Sequence, residues 1–551
     1  MFKKQRVYSL LLAFLILGIV WVSYNVISYQ ENSKSTQAKE NDISIRPRLL
    51  YVPLDDRPVS TEVPKQLGNI TGMELVLPPN EWIGHFETPG NTKALSHWVL
   101  EQAENVDGFV LSSDMLVYGG LVASRTGNLS QEDAMKNLLL LKTIKKLFPE
   151  KPIYVYSSLL RLAPTARDES YMEAYTNIRK WAIAKGTDGK EDEASRLENE
   201  LDSEFLAHYK DIRKRNTIIN ETLISFVKEG TIDYLIYGQD DAAKFGLHKQ
   251  EQESLKNSIT ENIKQNVSLL SGTDEMASLL ISRFAVEVYN VTPNIQVVYD
   301  SPLAPSWIPP MEYVEMKENI TEHIRAIGGR MTENSTEADF YYFVKTKYTP
   351  ESRSFVHKMK EYTNEEKPIA IVDTAIINKA SSMFVEDILH NVDMGSISAY
   401  SGWNTAGNSI GLSLSTAIMR EVYLETTDDK TMEQKVEQTK HHAELVFRSF
   451  LIDYGYKTNA YTWLSEEIKE NGDDPLALGD ATKKYEAQVQ DILEKEAAFI
   501  FKKAFEEKHF YLSRNHKASI IIDKLSPFSA TLPWNRLFEV DINPSFIIKE
   551  P

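Results

Sequence analysis

From Arg48 to about Leu424 the chain repeats one pattern: a short β-branched or aromatic run, a polar or glycine break, then a longer amphipathic stretch. The runs are LLYVPLDD (49–56), MELVLPP (73–79), GFVLSSD (108–114), PIYVYSS (152–158), YLIYGQDD (234–241), IQVVYDS (295–301), FYYFVKT (340–346), PIAIVDT (368–374) and ISAYSG (397–402). Between them lie helical stretches such as NTKALSHWVLEQAEN and PMEYVEMKENITEHIRAIGG. Strands alternating with helices build βαβ units, hence an α/β fold with a mainly parallel sheet. About eight or nine such repeats fit a (β/α)8-barrel-like layout. An open doubly wound sheet, or two α/β lobes divided near Asn294, is the alternative.

The pattern is interrupted and bounded. A charged helical insertion covers about 166–230 and reads as a helical pair with solvated faces. After Glu425 the strand runs stop, and 425–551 reads as a helical region closed by a pair of strands about a proline-marked turn in KASIIIDKLSPFSATLPWNRLFEVDI. At the other end Lys3, Lys4 and Arg6 precede the uncharged run VYSLLLAFLILGIVWVSYNVI, long enough to cross a bilayer as a helix. Positive charge on the near side places the N-terminus inside. Residues 1–29 are therefore expected to be a cytoplasmic tip and single membrane anchor, 30–47 a polar tether, and 48–424 an extracytoplasmic catalytic-like domain.

Composition removes several chemistries. The net charge is -18 with no basic stripe beyond the N-terminus, which argues against nucleic acid as a partner. There is no cysteine, so disulfides, thiolate catalysis and Cys-based zinc are excluded; the 11 histidines form no HExxH or HxH pattern. No GxGxxG or GxxxxGK[ST] spacing occurs either. A metal is expected only in the form of Mg²⁺ or Ca²⁺ on oxygen ligands; otherwise no cofactor is implied.

In run after run the polar residues come last. Asp55, Asp56 and Arg57 follow YVPL, Asp114 follows GFVLSS, Gln239, Asp240 and Asp241 follow YLIYG, and Asp373 follows IAIV. Parallel α/β sheets form their sites at that end of the strands. Helix capping accounts for one such residue at a time, but a cap needs one side chain and not DDRP or QDDA. Side chains alternate along a strand, so Asp240 and Asp241 would face opposite ways if extension persists, and working pairs would come from different strands. Glycoside hydrolysis needs two carboxyl groups roughly 5–9.5 Å apart. Asp240, Asp241, Asp114 and Asp373 are the catalytic candidates. For substrate binding the candidates are Asp55, Asp56, Arg57, Arg125, Gln239, Trp403, Asn404 and Asn408. SGWNTAGN offers an aromatic face and amides, which suit a sugar, and YGGLVASR ends in an arginine able to hold an anion.

YVPLDDRPVS, SSDMLVYGGLVASR, YGQDDAAKFG, SGWNTAGNSIG and LPWNRLFEVDI, in that order from about Leu49 to Asp541, resemble the bacterial family DUF4127, a domain of unknown function found in Gram-positive bacteria. Ser60 stands where the resemblance leads one to expect asparagine. The resemblance implies that these motifs are signature elements; it implies no activity. The residues themselves lead to an expected hydrolase acting on carbohydrate, a cell-envelope glycan. The alternatives are a Mg²⁺- or Ca²⁺-dependent phosphoester or other hydrolase, and a non-catalytic glycan-binding envelope protein.

Overall fold

The computed structural model of the protein describes residues 46–127, 129–165, 167–349 and 352–549. The expected anchor, and the tether apart from its last two residues, lie outside these. Among the described residues no helix is long and apolar enough to cross a membrane. From Pro47 onward the chain forms one compact unit.

The mainly parallel α/β architecture expected from the repeats is what the chain forms, and its strands fall into two sheets. One contains β1 (Arg48–Val52), β2 (Glu74–Val76), β3 (Gly108–Ser112), β4 (Ile153–Leu159), β5 (Tyr234–Gln239) and β6 (Val267–Ser271), in the order β2-β1-β3-β4-β5-β6. The other contains β7 (Asn294–Tyr299), β8 (Arg330–Met331), β9 (Phe340–Lys345), β10 (Ile369–Asp373) and β11 (Ile397–Ser401), in the order β11-β10-β9-β7-β8. Pairing within both is parallel. In each, the second strand lies on one side of the first and the third on the other, which is the doubly wound order that opens a crevice at the carboxyl ends.

Of the layouts the repeats allow, this is the pair of lobes divided near Asn294, and the reason is the helix Met276–Val288. Its sequence MASLLISRFAVEV is apolar nearly all round, and such a helix must be covered on every side. It packs on the first sheet with one face and on the helix Ala406–Glu425 with another. The second sheet therefore lies beyond a shared helical layer instead of continuing the first.

Alternation along the strands builds the layers. Leu49, Tyr51, Val110, Tyr154 and Ile236 join the shared core, together with Tyr342, Val344, Ala370 and Ala399 of the second sheet. Leu50, Val52, Phe109, Leu111 and Val155 face a separate core with the first sheet's own helices. The insertion forms three helices, Met172–Lys185, Glu191–Glu200 and Ser203–Lys228, around a small core of Leu162, Ile178, Trp181 and Leu206. The C-terminal helices Met432–Phe450 and Thr482–Ala504 share a core with Tyr341, Phe343, Ile369 and Ile371.

The C-terminal strands differ from the expected pair. Ser519–Leu525 lies between His509–Tyr511 and Phe546–Ile548, while Ala530–Thr531 pairs with Asp541–Ile542. Two separate pairings free the intervening LPWNRLFEV segment to enter the site.

Candidate functional site

The loops leaving the strands meet in a cleft of about 400 Å³. Arg57 arrives after β1, Arg125 after β3, Arg161 after β4, Asp240 and Asp241 after β5, and Thr273 and Asp274 after β6. From the second sheet come Asn378, Asn404, Thr405 and Asn408; from the C-terminal segment come Trp534, Arg536 and Phe538. The two sheets are joined at its floor. Gly407 approaches β6 so closely that an added Cβ would stand 1.9 Å from the Ser271 carbonyl oxygen. One residue on, Asn408 Oδ1 accepts from the Thr273 and Asp274 amides at 3.0 and 3.1 Å.

Backbone strain gathers here. Of the ten non-glycine residues with positive φ among the described residues, Met311, Asn378, Asn404 and Trp534 all line the cleft, at 64°, 62°, 77° and 58°. Such conformations cost of order 1–3 kcal/mol each and persist where the surroundings impose them, often at functional sites.

Electrostatically the cleft is a set of arginine–carboxylate contacts. Arg57 donates through Nη2 to Asp55 Oδ2 and Asp274 Oδ1, both at 2.7 Å, and through Nη1 to Glu539 at 3.4 Å. Burial works against its charge, but Asp274, Asp55 and Glu539 outweigh that and hold its pKa well above the ordinary value. Arg125 pairs with Asp240, and Arg161 with Asp241. Arg536 reaches Glu539 at 2.8 Å. Asp274 also accepts from Asn404 Nδ2 at 2.9 Å. Its pKa is raised, by burial first and then by the charges of Asp55 and Asp240, in spite of Arg57.

The residues expected from the sequence divide into two groups. Asp240, Asp241, Arg57, Arg125, Asn404 and Asn408 line the cleft. Asp240 and Asp241 do so together, because β5 ends at Gln239 and the extension that would have turned them apart stops there.

The rest brace it from behind. Asp114 accepts from the Ser158 amide and hydroxyl at 2.8 and 2.7 Å, and Asp373 from the Ser381 amide and hydroxyl at 2.6 and 3.0 Å; burial raises the pKa of both. Gln239 donates to the Leu160 and Asp240 carbonyls. Asp55 is held by Arg57, and Asp56 accepts from Trp534 Nε1 at 2.6 Å. Trp403 is buried beside Lys457 and Phe538 rather than facing the cleft.

Asp274, Asn378, Trp534 and Arg536 are functional candidates that the sequence patterns did not single out; Arg161, a polar residue following the YVY run, joins them in the cleft. Guanidinium groups engage the cleft carboxylates, and among the described residues no group of three or more His, Asp or Glu is gathered as a metal site.

Behind Thr405 a second device fixes the floor. Glu312 accepts from the Gly407 amide at 2.8 Å and from the Ser271 hydroxyl, tying the start of the Ala406–Glu425 helix to the end of β6. Burial pushes its pKa up from 4.5 to about 7. With the folded value above the unfolded one, the folded state binds the extra proton, so stability falls as pH rises from 4.5 to about 7 and is level beyond. That shift corresponds to roughly 3 kcal/mol. Glu312→Gln, which cannot ionise, is expected to flatten this part of the stability profile in urea melts at successive pH values. Parallel profiles for the two proteins would remove Glu312 as the cause.

Fold and site together define an α/β protein with two doubly wound sheets and an arginine–carboxylate cleft at their shared carboxyl rim. The chain belongs to the family described as Protein of unknown function (DUF4127), whose model matches residues 49–543. No curated protein matches it. Among solved structures it has similarity to the endo-fucoidan hydrolase MfFcnA4 from glycoside hydrolase family 107, at 11% identity over 52% of this chain and 48% of that one, with a TM-score of 0.19. The chain thus spans about half of that structure, and so loose a likeness assigns it no chemistry.

Proposed function

We propose that the protein is a membrane-anchored, extracytoplasmic hydrolase that cleaves a cell-envelope glycan in this cleft. The observation that carries the reading is the meeting of Asp274 with Asp240 and Asp241 in a cleft that also offers Asn378, Asn404 and Asn408 and the rings of Tyr175, Tyr461, Trp534 and Phe538. Amides match sugar hydroxyls, and aromatic faces match the apolar faces of a sugar ring. Two carboxyl groups whose environments push their proton affinities apart supply an acid and its ionised partner. Asp274, buried and raised in pKa, takes the acid role, and Asp240, held by Arg125, is its partner across the cleft. The uncharged run at 7–27 behind three basic residues supports the anchor and the outward orientation.

A second reading is favoured by one feature: Asp240 and Asp241 are both engaged by arginines, as in a site that only binds. Incubating the full chain with isolated envelope polysaccharides and assaying new reducing ends separates the two. The hydrolase reading expects reducing ends to accumulate with time. A polymer that binds in the cleft and stays intact would leave the protein a glycan binder.

A further inference from the structure

The proposed substrate is so far defined only by its sugar rings, and the arginines of the wall define it further. Arg125 meets Asp240, and Arg161 meets Asp241, through Nη2, and among the described residues neither planar fork makes a two-point hydrogen-bonded contact with its aspartate. The remaining contacts are weak: Arg125 Nη1 reaches the Thr165 hydroxyl at 3.3 Å, and Arg161 Nη2 reaches the Tyr175 hydroxyl at 3.3 Å. Arg161 Nε is buried, and among the described residues it has no hydrogen-bond partner. A buried guanidinium N–H without an acceptor is costly in a folded protein. Five donors in a fixed fork suit a planar or tetrahedral oxyanion, which can take two of them at once.

The guanidinium groups are also close enough to feel one another. Burial lowers the pKa of Arg125 to about 10; Asp240 opposes this, while the positive charges of Arg161 and Arg57 add to it. At Arg161 burial acts the same way, but Asp240, Tyr175 and Asp274 outweigh it and leave its pKa raised, so negative charge delivered between these groups relieves the crowding at Arg125. The side chains of Arg125 and Arg161 are 8% and 17% exposed, so such a charge would be bound largely out of water.

Resting on the hydrolase reading for the site itself, we infer that the glycan is acidic, with a sugar carboxylate or ester-linked sulfate seated on Arg161 and Arg125 beside Tyr175. Arg161 then positions the substrate and takes no part in the acid–base step.

The full-length protein is titrated calorimetrically with polygalacturonate against fully methyl-esterified polygalacturonate, and with dextran sulfate against dextran. At least one charged polymer is expected to bind ten-fold or more tightly than its neutral counterpart, and to weaken as salt is raised. The charged arm that responds identifies the oxyanion. Arg161→Gln should lose ten-fold or more of that affinity, and Arg161→Lys, which keeps the charge without the fork, should recover part of it. Thermal midpoints near that of the unchanged protein show that both variants fold. Equal binding of charged and neutral polymers, no binding of either polyanion, or undiminished binding by a folded Arg161→Gln overturns the inference. Cleavage of a neutral polymer alone would overturn it and leave the hydrolase intact. Tight binding of a polyanion without cleavage would do the reverse.

Discussion

Asp274→Asn is expected to lower turnover of the glycan by roughly 10²–10⁴-fold, the usual contribution of a general acid, while leaving binding and fold in place. The substitution keeps the shape of the side chain. Its amide oxygen can still accept from Arg57 Nη2, which lies 2.7 Å from the present carboxylate, at the loss of the bond accepted from Asn404 Nδ2, but it has no acidic proton to give. The effect has a sign in pH as well. An acid must be protonated to act, so the unchanged enzyme loses activity as pH rises through the pKa of Asp274, which lies above the ordinary 3.8. The residual activity of the variant should lack that descending limb. A pH–rate profile with the same descent in both proteins would assign the acid elsewhere.

The second large effect is on stability. Arg57→Met should destabilise the protein by about 3–5 kcal/mol, because it strands the buried carboxylates of Asp55 and Glu539 without the cation that they share with Asp274. Hydrophobic volume is kept, so a cavity is not the cause. Carboxylates left unpaired in the interior acquire raised pKa values in the folded state. Their cost is then absent in acid and grows as pH rises. Urea unfolding at pH 5 and pH 8 tests this: the deficit should be larger at pH 8. An equal deficit at both would mean that the packing of Arg57 against Trp534, 5.0 Å from the ring centre, matters more than its charge.

The strand series was legible because apolar runs alternate with amphipathic ones, and each of the nine runs read from the sequence forms a strand. What escaped were the two-residue β8 and, in the first sheet, β6. VSLLS carries serines at both faces and runs into the apolar helix Met276–Val288, so its period is hidden. With β6 went Asp274, which sits at its end as Asp240 sits at the end of β5. The same rule of polar residues at strand ends would have found it had the strand been seen.

Arg161 lies beyond the end of its run, and PWNRLF, though part of a motif that carries the resemblance, reads locally as a turn; nothing in it says that a segment 478 residues from Asp56 bonds to that residue. Conversely, Asp114, Gln239 and Asp373 end strands as a cleft residue would. Their partners, the Ser158, Leu160 and Ser381 backbones, show that in a crowded rim some end residues must satisfy loop amides and carbonyls rather than a ligand.

The account is tested most directly by the crystal structure of the Asp274→Asn protein with an acidic oligosaccharide. The prediction is a sugar ring against the cleft aromatics, its glycosidic oxygen within hydrogen-bond reach of residue 274 and its acidic group on Arg161. An oligosaccharide bound outside this rim, or one whose glycosidic oxygen lies far from both residue 274 and Asp240, would contradict it.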